Sequence, residues 1–221
     1  MRMTTKKITV LAMLSALAFI MAAFARVPIV LFLRYDPKDV IITIGGFIYG
    51  PMAALLITII VSTVQMFTVS QTGIWGLLMN IIGSGAFCCT AAYIYKKNRT
   101  LKGAVYGLIA AFIAATTVMM LWNYLIAPIY MGIPRSQVAG LLIPAFLPFN
   151  LIKNGLNAAF TILLYKHVKA TLLAAGMLPQ SPSVDVEDTD KPAKINLGAV
   201  IASFFVVLTC VLWVLVLRGI L

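Results

Sequence analysis

Four polar residues share one stripe of an otherwise apolar segment. Asn150, Lys153, Asn154 and Asn157 lie within VAGLLIPAFLPFNLIKNGLNAAFTILLY, Val138 to Tyr165. Their spacing, i, i+3, i+4 and i+7, is that of one helical face. An ammonium inside an apolar segment is costly and needs a polar partner or a ligand. Lysine only donates hydrogen bonds, whereas each asparagine donates and accepts. Asn80, Asn123 and Gln65 add amides in three further apolar segments. Trp75, Met79, Trp122 and Tyr124 stand close to them in the sequence. Apolar surface with a few directional polar groups suits recognition of a planar heterocycle bearing carbonyl or hydroxyl acceptors. Two other uses of the same groups stay open: asparagines as glue between helices, and an ion path.

Catalysis finds little support. There is no Walker A sequence, no HExxH and no nucleophile elbow, so the chain reads as a non-enzyme with no intrinsic cofactor. The acids ahead of the C-terminal tail are Asp36 and Asp39. Both fall at the outer edge in this reading, which leaves the core without a carboxylate for proton coupling and Lys153 without a counter-ion. Cys88, Cys89 and Cys210 sit in apolar segments with no CxxC, and His167 is the only histidine. A disulfide, a zinc site and a haem site are poorly supported.

The elements that must position these groups are membrane helices. The chain has 221 residues, 62% hydrophobic and 10% charged, where soluble domains carry about a quarter charged. The fold class is an all-α polytopic membrane protein. Apolar segments run over Ile8–Val27, Asp39–Tyr49, Met52–Val69, Ile74–Tyr95, Gly103–Ile126, Val138–Tyr165 and Ile195–Leu217. Pro128 and Pro134 are expected to bracket a loop. Pro148 is expected to free a carbonyl and bend the sixth segment. The basic start and apolar run of residues 1–24 resemble a signal peptide, but the charge pattern favours a retained helix.

Lys and Arg number 17 against six acids, a formal +11. Most lie in short connectors, which points to orientation and lipid headgroups rather than nucleic acid. With the N-terminus in the cytoplasm and all seven segments crossing, eleven basic residues fall inside and five outside, Lys38 among the latter. The rule thus favours seven spans, even though Asp39–Tyr49 is short. Asn80, Asn123, Asn150 and Lys153 then lie at similar depth toward the outside. Ala12 and Ala16 form a small-xxx-small pair on the first helix, suited to close helix contact. Three units emerge: a membrane core over 1–169, a polar acidic and proline-bearing linker over 170–194, and an added helix over 195–221.

FLRYDPKDV (Phe32 to Val40), GGFIYGP (Gly45 to Pro51), WNY (Trp122 to Tyr124) and LPFNLIKNG (Leu147 to Gly155) resemble the riboflavin-specific substrate-binding subunits of bacterial energy-coupling-factor (ECF) transporters. The resemblance covers about residues 5 to 169. It implies a six-helix core in the bacterial plasma membrane, with a first connector that closes over riboflavin, or FMN, from the outside. It implies transport with a membrane-embedded coupling subunit (the T component) and two ATPase subunits. Asn123, Asn150 and Lys153 match the family's ligand-binding positions, and the connector from Leu33 through Tyr35 and Asp36 to Asp39 supplies further contacts. Asn80 and Met79 complete the expected site. Ala12 and Ala16 match the face that packs on the coupling subunit. Subunits for other vitamins, a stand-alone secondary carrier and a purely structural membrane subunit are the competing functions. The helix over 195–221 lies beyond the family core and would tether the subunit or contact a partner.

Overall fold

The computed structural model describes residues 5–30, 33–70, 72–174 and 197–217. Among them are eight α-helices, a two-stranded hairpin and a π turn. Helix α1 (Thr5–Phe24) leads into strands β1 (Val27–Val30) and β2 (Leu33–Tyr35). Then follow α2 (Lys38–Tyr49), α3 (Pro51–Thr68), α4 (Gly73–Lys97), α5 (Leu101–Met131) and α6 (Arg135–Leu141). A π turn (Leu142–Phe146) joins α6 to α7 (Leu147–Ala174), and α8 (Leu197–Leu217) comes last. The acidic linker lies outside the described residues, apart from its first residues, which extend α7 to Ala174.

Five of these stretches are long and apolar enough to cross a membrane: Thr5–Phe24, Pro51–Thr68, Gly73–Lys97, Leu101–Met131 and Arg135–Tyr165. The chain is a multi-pass α-helical membrane protein. Helix α2 differs from these five. Its 12 residues rise only about 18 Å, and every residue from Lys38 to Phe47 is buried. It packs against α1, α3, α4 and α7 and so forms the axis of the bundle.

Local chemistry explains the helix ends. Gly50 adopts φ 93° between α2 and α3, and Pro51 opens α3, where its missing N–H costs nothing. The Thr100 side chain accepts the Gly103 N–H at the start of α5, a side-chain N-cap. The far end of α5 corrects the sequence reading. The helix continues through Pro128 to Met131 and stops at Gly132, whose φ of 65° is left-handed. The glycine, not the proline, is the terminator. The connector after α1 is also more ordered than expected, because Val27 pairs with Tyr35 and Pro28 with Arg34 in an antiparallel hairpin.

Packing inside a membrane relies on close van der Waals contact, since lipid is as apolar as the core. Small residues provide it here. A Cβ added at Gly46 of α2 would sit 2.8 Å from Ala92 Cβ and 2.9 Å from Ala54 Cβ. Around this contact Val10, Ile42, Ile57, Phe87 and Leu108 form the main buried cluster. At one end of it the Tyr95 and Tyr165 hydroxyls are hydrogen-bonded to each other, and Phe47 stacks on Tyr95 with ring centres 4.5 Å apart. Gly46→Val is therefore expected to destabilise the protein by about 1–3 kcal/mol, seen as a lower thermal unfolding midpoint in detergent.

Candidate ligand-binding site

The hairpin and α2 bring charged side chains into the bundle. Asp39 stands in the first turn of α2, where the helix N-terminus favours a carboxylate. It is 1% exposed. Lys153 Nζ of α7 lies 3.5 Å from Asp39 Oδ2, and Asn157 Nδ2 donates to the same oxygen at 3.2 Å. Tyr35 of β2 donates its hydroxyl to Asn157 Oδ1 at 3.1 Å. Burial, reinforced by the nearby Asp39 charge, pushes the Tyr35 phenol up from its ordinary range, so it remains a donor. Hairpin, α2 and α7 are thus joined by one chain of polar contacts.

This corrects one expectation: Lys153 has an acidic counter-ion, because Asp39 is buried in the bundle beside it. Lys38, counted among the outer connector charges, is fully buried. Its ammonium donates to Asn80 Oδ1 of α4 at 2.9 Å and to Asp36 Oδ2 at 3.3 Å. Two signals pointed to burial of Lys38 and Asp39: the resemblance sets this connector over the ligand, and α2 is too short to begin at one membrane surface and finish at the other.

Beside the Asp39–Lys153 pair is a cavity of about 190 Å³ accessible to the centres of water-sized molecules. One water needs roughly 10–15 Å³ by that measure, so the space is ligand-sized. Asn80, Asn123, Asn150, Lys153, Leu33, Asp36, Asp39 and Met79 all line it. Gln65, Trp75 and Asn154 do so as well. Tyr35 does not; it is buried behind the wall, on Asn157. Trp122 and Tyr124 are also absent from the lining, and Asn157 serves the wall network instead. Sequence reasoning missed Arg26 and Met119 as lining residues. Arg26 donates to the carbonyls of Ala22 at 2.5 Å and Val69 at 3.1 Å, tying the ends of α1 and α3.

The amides are held in place by the backbone. Asn123 Nδ2 donates to Met119 O and Asn150 Nδ2 to Phe146 O, both at 2.8 Å. The second contact lies at the end of the π turn, two residues before Pro148. π turns disturb the regular ladder and recur at functional sites. Asn154 donates to Thr116 of α5 at 3.0 Å. Gln65 is 2% exposed, and its Oε1 has no hydrogen-bond partner among the described residues. A buried orphan acceptor on a cavity wall is a ready contact for a ligand donor.

The model of the family "ECF transporter, substrate-specific component" matches residues 6–165, and the chain belongs to that family. This is a family of transport subunits, not catalysts. The riboflavin transporter RibU of Staphylococcus aureus (strain TCH60) is 30% identical over 172 residues, covering 74% of this chain and 90% of that protein. The riboflavin transporter FmnP of Bacillus subtilis (strain 168) is 31% identical over 165 residues, 69% and 86% of the two chains. A solved structure of the S component of a bacterial ECF transporter superposes with a TM-score of 0.64 at 30% identity, over 76% of this chain and 97% of that one.

The Asp39–Lys153 pair predicts a specific stability pattern. Removing either partner strands the other, so Asp39→Leu and Lys153→Met should each cost on the order of 3 kcal/mol. The double substitution should cost less than the sum of the two. Thermal unfolding of the purified ligand-free variants measures this; strictly additive losses would show that the pair is not coupled.

Proposed function

We propose that this chain captures riboflavin at the outer face of the plasma membrane and delivers it through an ATP-driven ECF transporter. One observation carries the reading. Asn80 of α4, Asn123 of α5 and Asn150 with Lys153 of α7 line a single cavity, in a chain whose relatives include riboflavin transporters. A flavin ring offers flat apolar faces and an edge of carbonyl and ring-nitrogen groups. Amides that both donate and accept, with one ammonium, complement such an edge. Trp75, Met79 and Met119 provide apolar surface for the faces. The hairpin residue Leu33 lines the same cavity, and the Lys38 contacts to Asp36 and Asn80 tie that connector to α4.

In this reading the N-terminus is cytoplasmic and residues 1–169 form a six-helix binding core. The polar linker over 170–194 leads to a seventh crossing made by α8. The energy comes from a T component and two ATPase subunits. Ala12 and Ala16 are exposed on α1, beside exposed Ile8, Met13 and Leu17 and opposite buried Val10, Leu14 and Ala18. This outward face docks the T component.

Lys153→Ala and Asn150→Ala should each weaken riboflavin binding. The loss of one buried hydrogen bond is worth about 1–3 kcal/mol, roughly tenfold to a hundredfold in Kd. Quenching of flavin fluorescence reads it directly, and unchanged affinity in both variants would contradict the site. Ala12→Leu and Ala16→Leu should spare binding by the isolated subunit while impairing uptake by the assembled transporter. Loss of binding instead would place that face inside the fold.

A further inference from the structure

Helix α8 lies beyond the residues matched by the family, yet it is not isolated from the site. It packs along α7 and against β1 of the hairpin. Its inward stripe is Ser203, Val207, Cys210 and Val214, at i, i+4, i+7 and i+11, all buried or partly buried. The opposite side, with Phe204, Phe205, Leu212 and Val216, is exposed and suits lipid. Cys210 belongs to a buried cluster with Ile29 of β1, Tyr35 of β2, and Phe149, Ile152 and Leu156 of α7, and Val207 and Val214 pack on that cluster. At α7 the approach is close, because a Cβ added at Gly155 would stand 3.5 Å from Cys210 Sγ.

Two paths lead from this cluster to the cavity. Phe149 belongs to both the cluster and the cavity lining. Tyr35 reaches Asp39 through Asn157, and Asp39 meets Lys153 on the wall. The hairpin is a short two-stranded ribbon, an element that is marginal alone. Its persistence in the closed position depends on what it packs against. We propose that α8 is a built-in brace that holds the β1–β2 hairpin closed over the cavity, so that α8 sets the rate at which bound ligand escapes. Cys210 acts as a positioning residue through Ile29 and Tyr35 and touches no ligand itself. The consequence for ligand release rests on the flavin-binding reading; the bracing of the hairpin does not.

The test uses the full chain in nanodiscs. Cys210→Trp overfills the α7–α8–hairpin contact, Cys210→Ala thins it, and Leu212→Trp on the lipid side is the control. Hydrogen exchange at the hairpin amides of ligand-free protein reports hairpin opening. It should quicken by about tenfold in Cys210→Trp and about threefold in Cys210→Ala, roughly 1.4 and 0.7 kcal/mol of opening free energy. Exchange in the α3 and α4 cores and in the control should stay unchanged. Riboflavin dissociation, followed by stopped-flow fluorescence, should accelerate in the same order. Unaltered hairpin exchange in Cys210→Ala would overturn the brace even if Cys210→Trp failed to fold. Faster exchange with unchanged riboflavin release would overturn its control of escape. A wild-type chain that binds no riboflavin would instead defeat the proposed function and leave the exchange result standing.

Discussion

The buried charge pair between Asp39 and Lys153 is the constraint on which the rest of the structure turns. Two opposite charges in an apolar bundle are tolerable only with close geometry and supporting hydrogen bonds. The fold supplies both. The α2 N-terminus presents Asp39 to α7, Lys153 meets it at 3.5 Å, and Asn157 donates to the same oxygen. For this to happen, α2 must begin inside the bundle. A 12-residue helix preceded by a folded-in hairpin is the arrangement that satisfies the requirement. The pair also stands on the cavity wall. The cost of burying charge is therefore met by folding, before any ligand arrives, and the polar groups are organised in advance.

The remaining surface divides according to task. One face of α1 is exposed and carries Ala12 and Ala16, the cavity occupies the hairpin end of the bundle, and α8 covers the outer side of α7. In the proposed transporter these correspond to docking on the coupling subunit, capture, and control of escape. The close contact at Gly46 fixes α2 against α3 and α4, while the hairpin is held by the Tyr35–Asn157 hydrogen bond and by side-chain packing. That contrast gives a firm core with a movable cover, as entry of a ligand requires.

Much of the site was legible because membrane helices make polar residues conspicuous. Asn80, Asn123, Asn150 and Lys153 each interrupt an apolar run, and the helical period alone placed the last two on one face. Helix boundaries followed from Gly-Pro at residues 50–51 and from basic ends. The misreadings share a cause, since a local pattern does not report tertiary depth. Lys38 and Asp39 read as charges at the outer end of a connector, yet long-range partners on α4 and α7 bury them in the bundle. Tyr35 looked like a ligand contact, whereas Asn157, more than a hundred residues away, claims its hydroxyl. Pro128 looked like a helix end, but the left-handed residue needed to stop α5 is Gly132. The α8 stripe is too plain in composition to announce its neighbour.

The central claim is that the cavity beside Asp39 and Lys153 is a flavin site. The most direct measurement is a titration of the purified wild-type chain, without partner subunits, by riboflavin under fluorescence and absorbance, with thiamine and biotin as competitors. The account predicts saturable quenching at one flavin per chain, a perturbed flavin spectrum, and no displacement by either competitor. Absence of saturable quenching, or ready displacement by thiamine or biotin, would contradict it.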